Sequence, residues 1–320
     1  LAGFLFRKSE GVHDDLLAQV LVIRDLRGEK IVIVTLDLIG FLRHDVVLVQ
    51  REIARRGITT EDRVFISASH QHSGPDVIGL WGRILALRTG RDLGYINFVS
   101  NNVVSLTLQA NAALEPVTLS LGRGSGAGLC RNKRESELLD TLVTSIFVTR
   151  ADGGNLATLV NFGCHPEIMQ TESRLITADF LYGLRLALQD SLGGTTLFVN
   201  GALGGMVSPA YGLIGAPAHS FEAVRQFGEI LATGVLEGYR SRQELIPDSI
   251  IVRRKIFRVP FENPRFRIAS KLFILPNSMV QNGVLITEVN AIRFSGLTII
   301  TIPGEILPRP YFQIKEIIGE

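Results

Sequence analysis

The stretch from Val64 to Pro75, VFISASHQHSGP, constrains this chain more than any other. Val64-Phe65-Ile66 reads as a buried strand. Ser73-Gly74-Pro75 ends it, because Gly and Pro break a strand and set a turn. Between them lie His70, Gln71 and His72. Residues two apart on an extended chain point to the same side, so the spacing predicts two imidazoles facing one point at the mouth of a strand. Such a pair is half of a metal site; a pair of hydrogen-bonded loop histidines is the alternative.

A strand that ends in chemistry needs layers around it, and the rest of the chain supplies them in α/β alternation. The apolar runs 16–23 and 31–36, joined by a turn at Gly28, predict a hairpin closed by Asp37. Residues 45–56 have helical spacing, with Gly57 as the cap. Residues 95–114 predict a long helix with Phe98, Val99, Val103, Leu106 and Ala110 on its apolar stripe. A strand over 117–122 leads to a glycine-rich loop, 122–128, which lacks the GxxxxGK[ST] pattern of a phosphate cradle. Strands over 142–149 and 156–162 flank the turn Asp152-Gly153-Gly154. A helix over 180–191 with Asp179 at its N-cap, a strand over 195–199 and a helix over 221–239 follow. After Pro247 the chain is β-rich, over 249–260, 287–294 and 297–302. There is no internal repeat, low-complexity tract or linker, so residues 1–320 read as a single domain.

Composition matters mainly for what it excludes. Hydrophobic residues make up 46% of the chain, enough for a sizeable core. Lys+Arg number 33 and Asp+Glu 31, a net charge of +2, which offers no electrostatic argument for nucleic acid. No apolar run approaches the roughly 18–20 residues of a membrane span. Two cysteines, Cys130 and Cys164, make no disulfide framework and say little about redox compartment. The chain starts at Leu1 rather than Met, so a signal peptide is expected to have been removed or left out.

Three β-type runs end in a ligand-capable residue beside Gly or Pro: SHQHSGP at His70, GCHPE at His165 and IPGE at Glu305. A fourth runs into NGALGG and then Ser208. Strand ends that open into tight loops are where α/β proteins place their sites. Two His and one Glu form a ligand set for catalytic zinc with one position left open. Taken singly, His165 could cap a strand and Glu305 could be a surface carboxylate.

In that order the motifs resemble the neutral/alkaline, non-lysosomal ceramidases and their bacterial relatives. HQHSGP is similar to the family's HTHSGP, GCHPE sits where its second zinc histidine lies, GALGGMVSP resembles its glycine-rich Ser-Pro segment, and IPGE its PGE motif. The matches cover nearly the whole chain, as a compact bacterial-type relative of the catalytic domain. The resemblance implies two packed mixed β-sheets flanked by helices. It implies zinc held by His70, His165 and Glu305, with His72 positioning water or substrate and Ser208 hydrogen-bonding beside the reacting group. An arginine after an asparagine lines the family's site. Here Asn132 is followed by Lys133 and Arg134 and preceded by Arg131; Arg134 is the candidate, with Arg131 open. The family carries Asp or Asn where this chain has Gly205. It also has a tyrosine ligand well beyond PGE. This chain reaches Glu320, fifteen residues past Glu305, and Tyr311 does not match the spacing. Either that segment lies outside these residues or the role is unfilled.

The function so implied is a zinc-dependent amidohydrolase acting on an N-acyl amide, ceramide-like lipid included, through metal-activated water, with His72 moving protons. The alternatives are a hydrolase of another amide or ester, and a non-catalytic binding or scaffold relative. Trp81, Leu80, Met206 and the apolar segment 266–279 could line an apolar pocket, though packing roles compete for each. His13, His44 and His219 have no convergent partners in the sequence and read as structural. No nucleic-acid partner is expected, and the resemblance favours a secreted or periplasmic protein over a cytoplasmic one.

Overall fold

The computed structural model describes residues 1–4, 6–82, 89–271, 280–281 and 283–318. Period-2 patterning splits each strand's apolar residues between two faces. In the strand Lys30–Leu36, Ile31 and Ile33 face one way and Val32 and Val34 the other. In Leu142–Arg150, Ile146 and Val148 face one way, Val143 and Phe147 the other. Both strands are therefore buried on both sides, and the fold stacks to satisfy them.

The result is four layers. One sheet joins the strands Ala18–Arg24, Lys30–Leu36 and Val64–Ala68; its first pair is an antiparallel hairpin and its second is parallel. A five-stranded mixed sheet runs Thr195–Asn200, Asn155–Phe162, Leu142–Arg150, Val117–Ser125, Gln243–Glu244. Leu21, Ile31, Ile33 and Phe65 meet Ile146, Leu159 and Leu197 between the two sheets. Outside the first sheet pack the helices Arg43–Arg55 and Leu93–Ala112; outside the second pack Phe180–Ser191 and Phe221–Arg240. Each fully buried Val, Leu, Ile or Phe in these layers contributes about 1.5–3 kcal/mol of transfer free energy. A further antiparallel sheet, Ile251–Pro260 with Val284–Phe294, Val280–Gln281 and Leu297–Thr301, adds Ile292 and Phe294 to the inter-sheet core.

The expected α/β architecture of packed mixed sheets flanked by helices is what the chain adopts. The local differences are informative. The long helix begins at Leu93, because Asp92 caps it by accepting from the Gly94 and Tyr95 N–H groups. Its buried stripe is Ile96, Val99, Val103 and Thr107, whereas Phe98 is 63% exposed. The strand Val117–Ser125 extends into the glycine-rich segment. Within 266–279, residues up to Lys271 belong to the helix Pro264–Lys271, and 272–279 lie outside the described residues. Among the described residues no helix is long and apolar enough to cross a membrane.

Candidate metal centre and active site

The strand Val64–Ala68 stops two residues before His70, so extended geometry is not what aims the two histidines. His70 itself takes φ +64°, the left-handed region that non-glycine residues rarely visit. Its N–H donates to the Leu38 carbonyl and the preceding Ser69 N–H to Leu36, which carries the chain past the sheet edge. Asn200, at the end of a strand in the other sheet, donates through Nδ2 to the Ser69 carbonyl at 2.6 Å. The turn brings His70 and His72 edge to face, ring centroids 4.9 Å apart, with the His165 ring 5.0 Å from His70.

Backbone carbonyls decide which ring nitrogens are available. His70 Nδ1 lies 2.6 Å from the Ile39 carbonyl oxygen, and His165 Nδ1 lies 2.8 Å from that of Val207. A carbonyl only accepts, so Nδ1 carries a proton in both rings; Nε2 is then the atom that offers a lone pair to an ion when the ring is neutral and donates to a carboxylate when it is charged. Both Nε2 atoms face Glu305: His70 Nε2 is 3.2 Å from Oε1 and His165 Nε2 is 3.4 Å from Oε2. Two ligands about 2.1 Å from one zinc at a tetrahedral angle are roughly 3.4 Å apart, so these spacings fit a shared ion. Glu305 is held in place because Gly204 packs directly against its backbone. A Cβ on Gly204 would lie 2.7 Å from the Glu305 and Ile306 carbonyl oxygens, and the Gly204 N–H donates to Ile306. Of the described residues, His70, His72 and His165 form a group whose ligand atoms all lie within 4.8 Å of one another. His72 thus stands closer to the centre than a residue merely lining it.

Electrostatics follow the same geometry. Hydrogen bonds from His165 and then His70 hold the Glu305 carboxyl well below the usual carboxylate range. Burial works against charge on His165, but Glu305, the Val207 carbonyl and Glu167 outweigh it and raise its pKa. Burial, then the neighbouring His70 and His165, push His72 far down, so that ring is neutral. Among the described residues, neither His72 ring nitrogen has a hydrogen-bond partner.

An N-terminal segment that carried no recognisable signal covers His72. Phe4 packs edge-on against its ring at 5.3 Å. Gly3 has φ +97°, and a Cβ there would lie 2.5 Å from the His72 side chain, so only glycine fits. Arg7, 7% exposed, donates to the carbonyls of Ala2, His72, Gln170 and Ser173. It thereby staples this segment to the loops on both sides of the site. Only tertiary proximity reveals that role.

The other candidates are distributed around the centre. Ser208 is buried and its hydroxyl donates to the Met206 carbonyl at 3.4 Å. The strand Val207–Pro209 pairs with Cys130–Asn132, setting Ser208 opposite Arg131 and Val207 opposite Asn132. Arg134 is exposed, with its backbone N–H held by the Asn132 side chain. The cation that reaches inward is Lys133, its Nζ 4.0 Å from the buried Glu167 carboxylate. Tyr311, on the helix Pro308–Ile318, donates its hydroxyl to Asp140. Trp81 is half-buried and packs on the core beneath the first sheet, a packing role, while Met206 is 38% exposed. His13 bonds to Asp14, and His219 to the Ile168 carbonyl, which fits their structural reading. Gly205 has φ +77°, a conformation that glycine adopts without strain. The two cysteines do pair: Cys130 and Cys164 form a disulfide that ties the Arg131-Asn132 strand to the loop carrying His165. Two cysteines 34 residues apart offered no spacing pattern by which to foresee it.

No family model and no curated protein matches the sequence. Solved structures share the fold, two of them ceramidases. A structure described as ceramidase complexed with C2 superposes with TM-score 0.83 at 16% identity, covering 99% of this chain and 62% of that one. Neutral ceramidase from Pseudomonas aeruginosa superposes with TM-score 0.80 at 16% identity, covering 99% of this chain and 63% of that one. The chain thus spans less than two thirds of the length of these structures while using nearly all of its own.

Proposed function

We propose that this chain is a zinc-dependent hydrolase of linear amide C–N bonds, acting on an N-acyl amide with at least one apolar chain, as in a ceramide. The observation that carries the reading is the convergence of His70 Nε2, His165 Nε2 and the Glu305 carboxylate, each histidine locked by a backbone carbonyl into the tautomer a metal needs. The shared fold with the two ceramidase structures supports it. Zinc bound there would activate a water and polarise a carbonyl. His70, His165 and Glu305 would hold it. His72, neutral and buried, with neither ring nitrogen hydrogen-bonded among the described residues, is suited to take a proton from the attacking water and return it to the leaving nitrogen. Ser208 would hydrogen-bond the substrate, and Arg134 or Lys133 would meet its polar end. The N-terminal cover keeps water from the far side of His72, which strengthens each of these interactions.

The disulfide favours an oxidising compartment, consistent with an exported protein. The test is elemental analysis of the purified chain, followed by a panel of N-acyl sphingoid bases and simpler N-acyl amides. Zinc near one equivalent with turnover on an apolar amide is expected. Bound zinc without turnover on any member would point to another amide or ester hydrolase, or to a binding protein.

A further inference from the structure

Glu167 is a buried carboxylate without the usual compensation. Asp14, Asp37, Asp45, Asp76 and Asp179 are also buried, and each accepts hydrogen bonds from a guanidinium, hydroxyl or backbone N–H. Glu167 is 2% exposed, yet among the described residues its Oε1 makes no hydrogen bond and its nearest Lys or Arg nitrogen, Lys133 Nζ, is 4.0 Å away. Its Oε2 faces His72 Nδ1 at 3.5 Å. The backbone fixes this approach, because the His72 N–H donates to the Pro166 carbonyl and the Glu167 N–H to that of His165. Burying a carboxylate costs several kcal/mol unless it is paired, so a fold that retains one beside a catalytic candidate is using it.

We propose that Glu167 is a positioning residue that sets the tautomer of His72. A carboxylate oxygen placed beside Nδ1 draws the ring proton to that nitrogen and leaves the Nε2 lone pair for the centre that His70 and His165 share. His70 and His165 obtain the same tautomer from the neutral carbonyls of Ile39 and Val207. Of these three, His72 has a carboxylate at Nδ1.

The kinetic part rests on the hydrolase reading; the tautomer does not. The experiment is nitrogen-15 histidine NMR on the full chain, metal-free and zinc-loaded, for wild type, Glu167→Gln and Glu167→Asp. Wild type is expected to show His72 protonated at Nδ1. Glu167→Gln is expected to populate the Nε2–H form, and Glu167→Asp to retain the wild-type form in part. Turnover with Glu167→Gln should fall about 10–100-fold in kcat with KM little changed. If Glu167→Gln does not fold, the Glu167→Asp spectrum and the wild-type tautomer carry the test. A His72 proton on Nε2 in wild type, or an unchanged tautomer in Glu167→Gln, overturns the proposal even if the enzyme is active. A protein that binds no zinc and turns nothing over, yet shows the tautomer switch, overturns the hydrolase reading and leaves this one standing.

Discussion

His70 at φ +64° carries strain on the order of 1–3 kcal/mol, and the surrounding carbonyls of Leu38 and Ile39 are what hold it there. Replacing His70 with Ala should abolish metal binding and turnover together, measured by elemental analysis and rate on the same sample. Replacing His72 with Ala should lower turnover by about 10²–10⁴-fold while the ion stays bound, as loss of a proton-moving group does. Asp179 is a different kind of residue. It sits at φ +57° and caps the helix Phe180–Ser191, and burial pushes its carboxyl up to about 6 against the backbone N–H groups that pull it down. A folded pKa above the unfolded value favours folding below about 3.8 and loses that contribution as pH rises through about 6. The stability of wild type relative to Asp179→Asn should therefore fall by up to about 3 kcal/mol as pH rises across that window, read from urea unfolding at several pH values. A difference that stays flat with pH would show that Asp179 does not titrate there.

The elements bring these residues together through a small number of ties. The disulfide closes a loop whose ends are 34 residues apart, worth about 4 kcal/mol in chain entropy, and it joins the strand Cys130–Asn132 to the turn before His165. The double replacement Cys130→Ala with Cys164→Ala should lower unfolding free energy by about that amount and weaken zinc binding. Equal zinc affinity in both proteins would confine the bridge to a stability role. The segment over His72 is the second tie. Gly3→Ala places a methyl group 2.5 Å from the His72 side chain in a backbone region alanine avoids, so it should displace the segment rather than be absorbed. Faster exchange of the His72 backbone amide, whose partner is the Pro166 carbonyl, would report that displacement.

For the whole molecule, a metal at the proposed centre would compete with the proton for one set of atoms. Without metal, His165 has a raised pKa, so its pairing with Glu305 stabilises the fold at pH values below its unfolded value near 6.5 and is lost as pH rises through the folded one. A bound metal would need that His165 proton released, so affinity should fall as pH drops through the raised His165 value. The gain in thermal midpoint on adding zinc should therefore shrink steadily as pH is lowered from about 8 to 5. A gain independent of pH would remove histidine from the ligand set.

The chain by itself determined the layers and the places where chemistry could sit. Alternation in the strand Lys30–Leu36 and helical spacing in Phe180–Ser191 are local patterns, legible because each element buries a face set by its own period. The motif ends at His70, His165 and Glu305 were legible for the same reason: Gly and Pro mark strand ends directly. Tertiary structure decided which atoms of those residues face the centre. The partner that fixes His165 is Val207, 42 residues on; the one that fixes His70 is Ile39, 31 residues back; the cover over His72 is held by Arg7, 65 residues away. Periodicity carries no record of such contacts. They form only when separate strand ends are packed into one corner, and there the backbone carbonyl, the buried Glu167 and the disulfide select a tautomer and a position that no local pattern encodes.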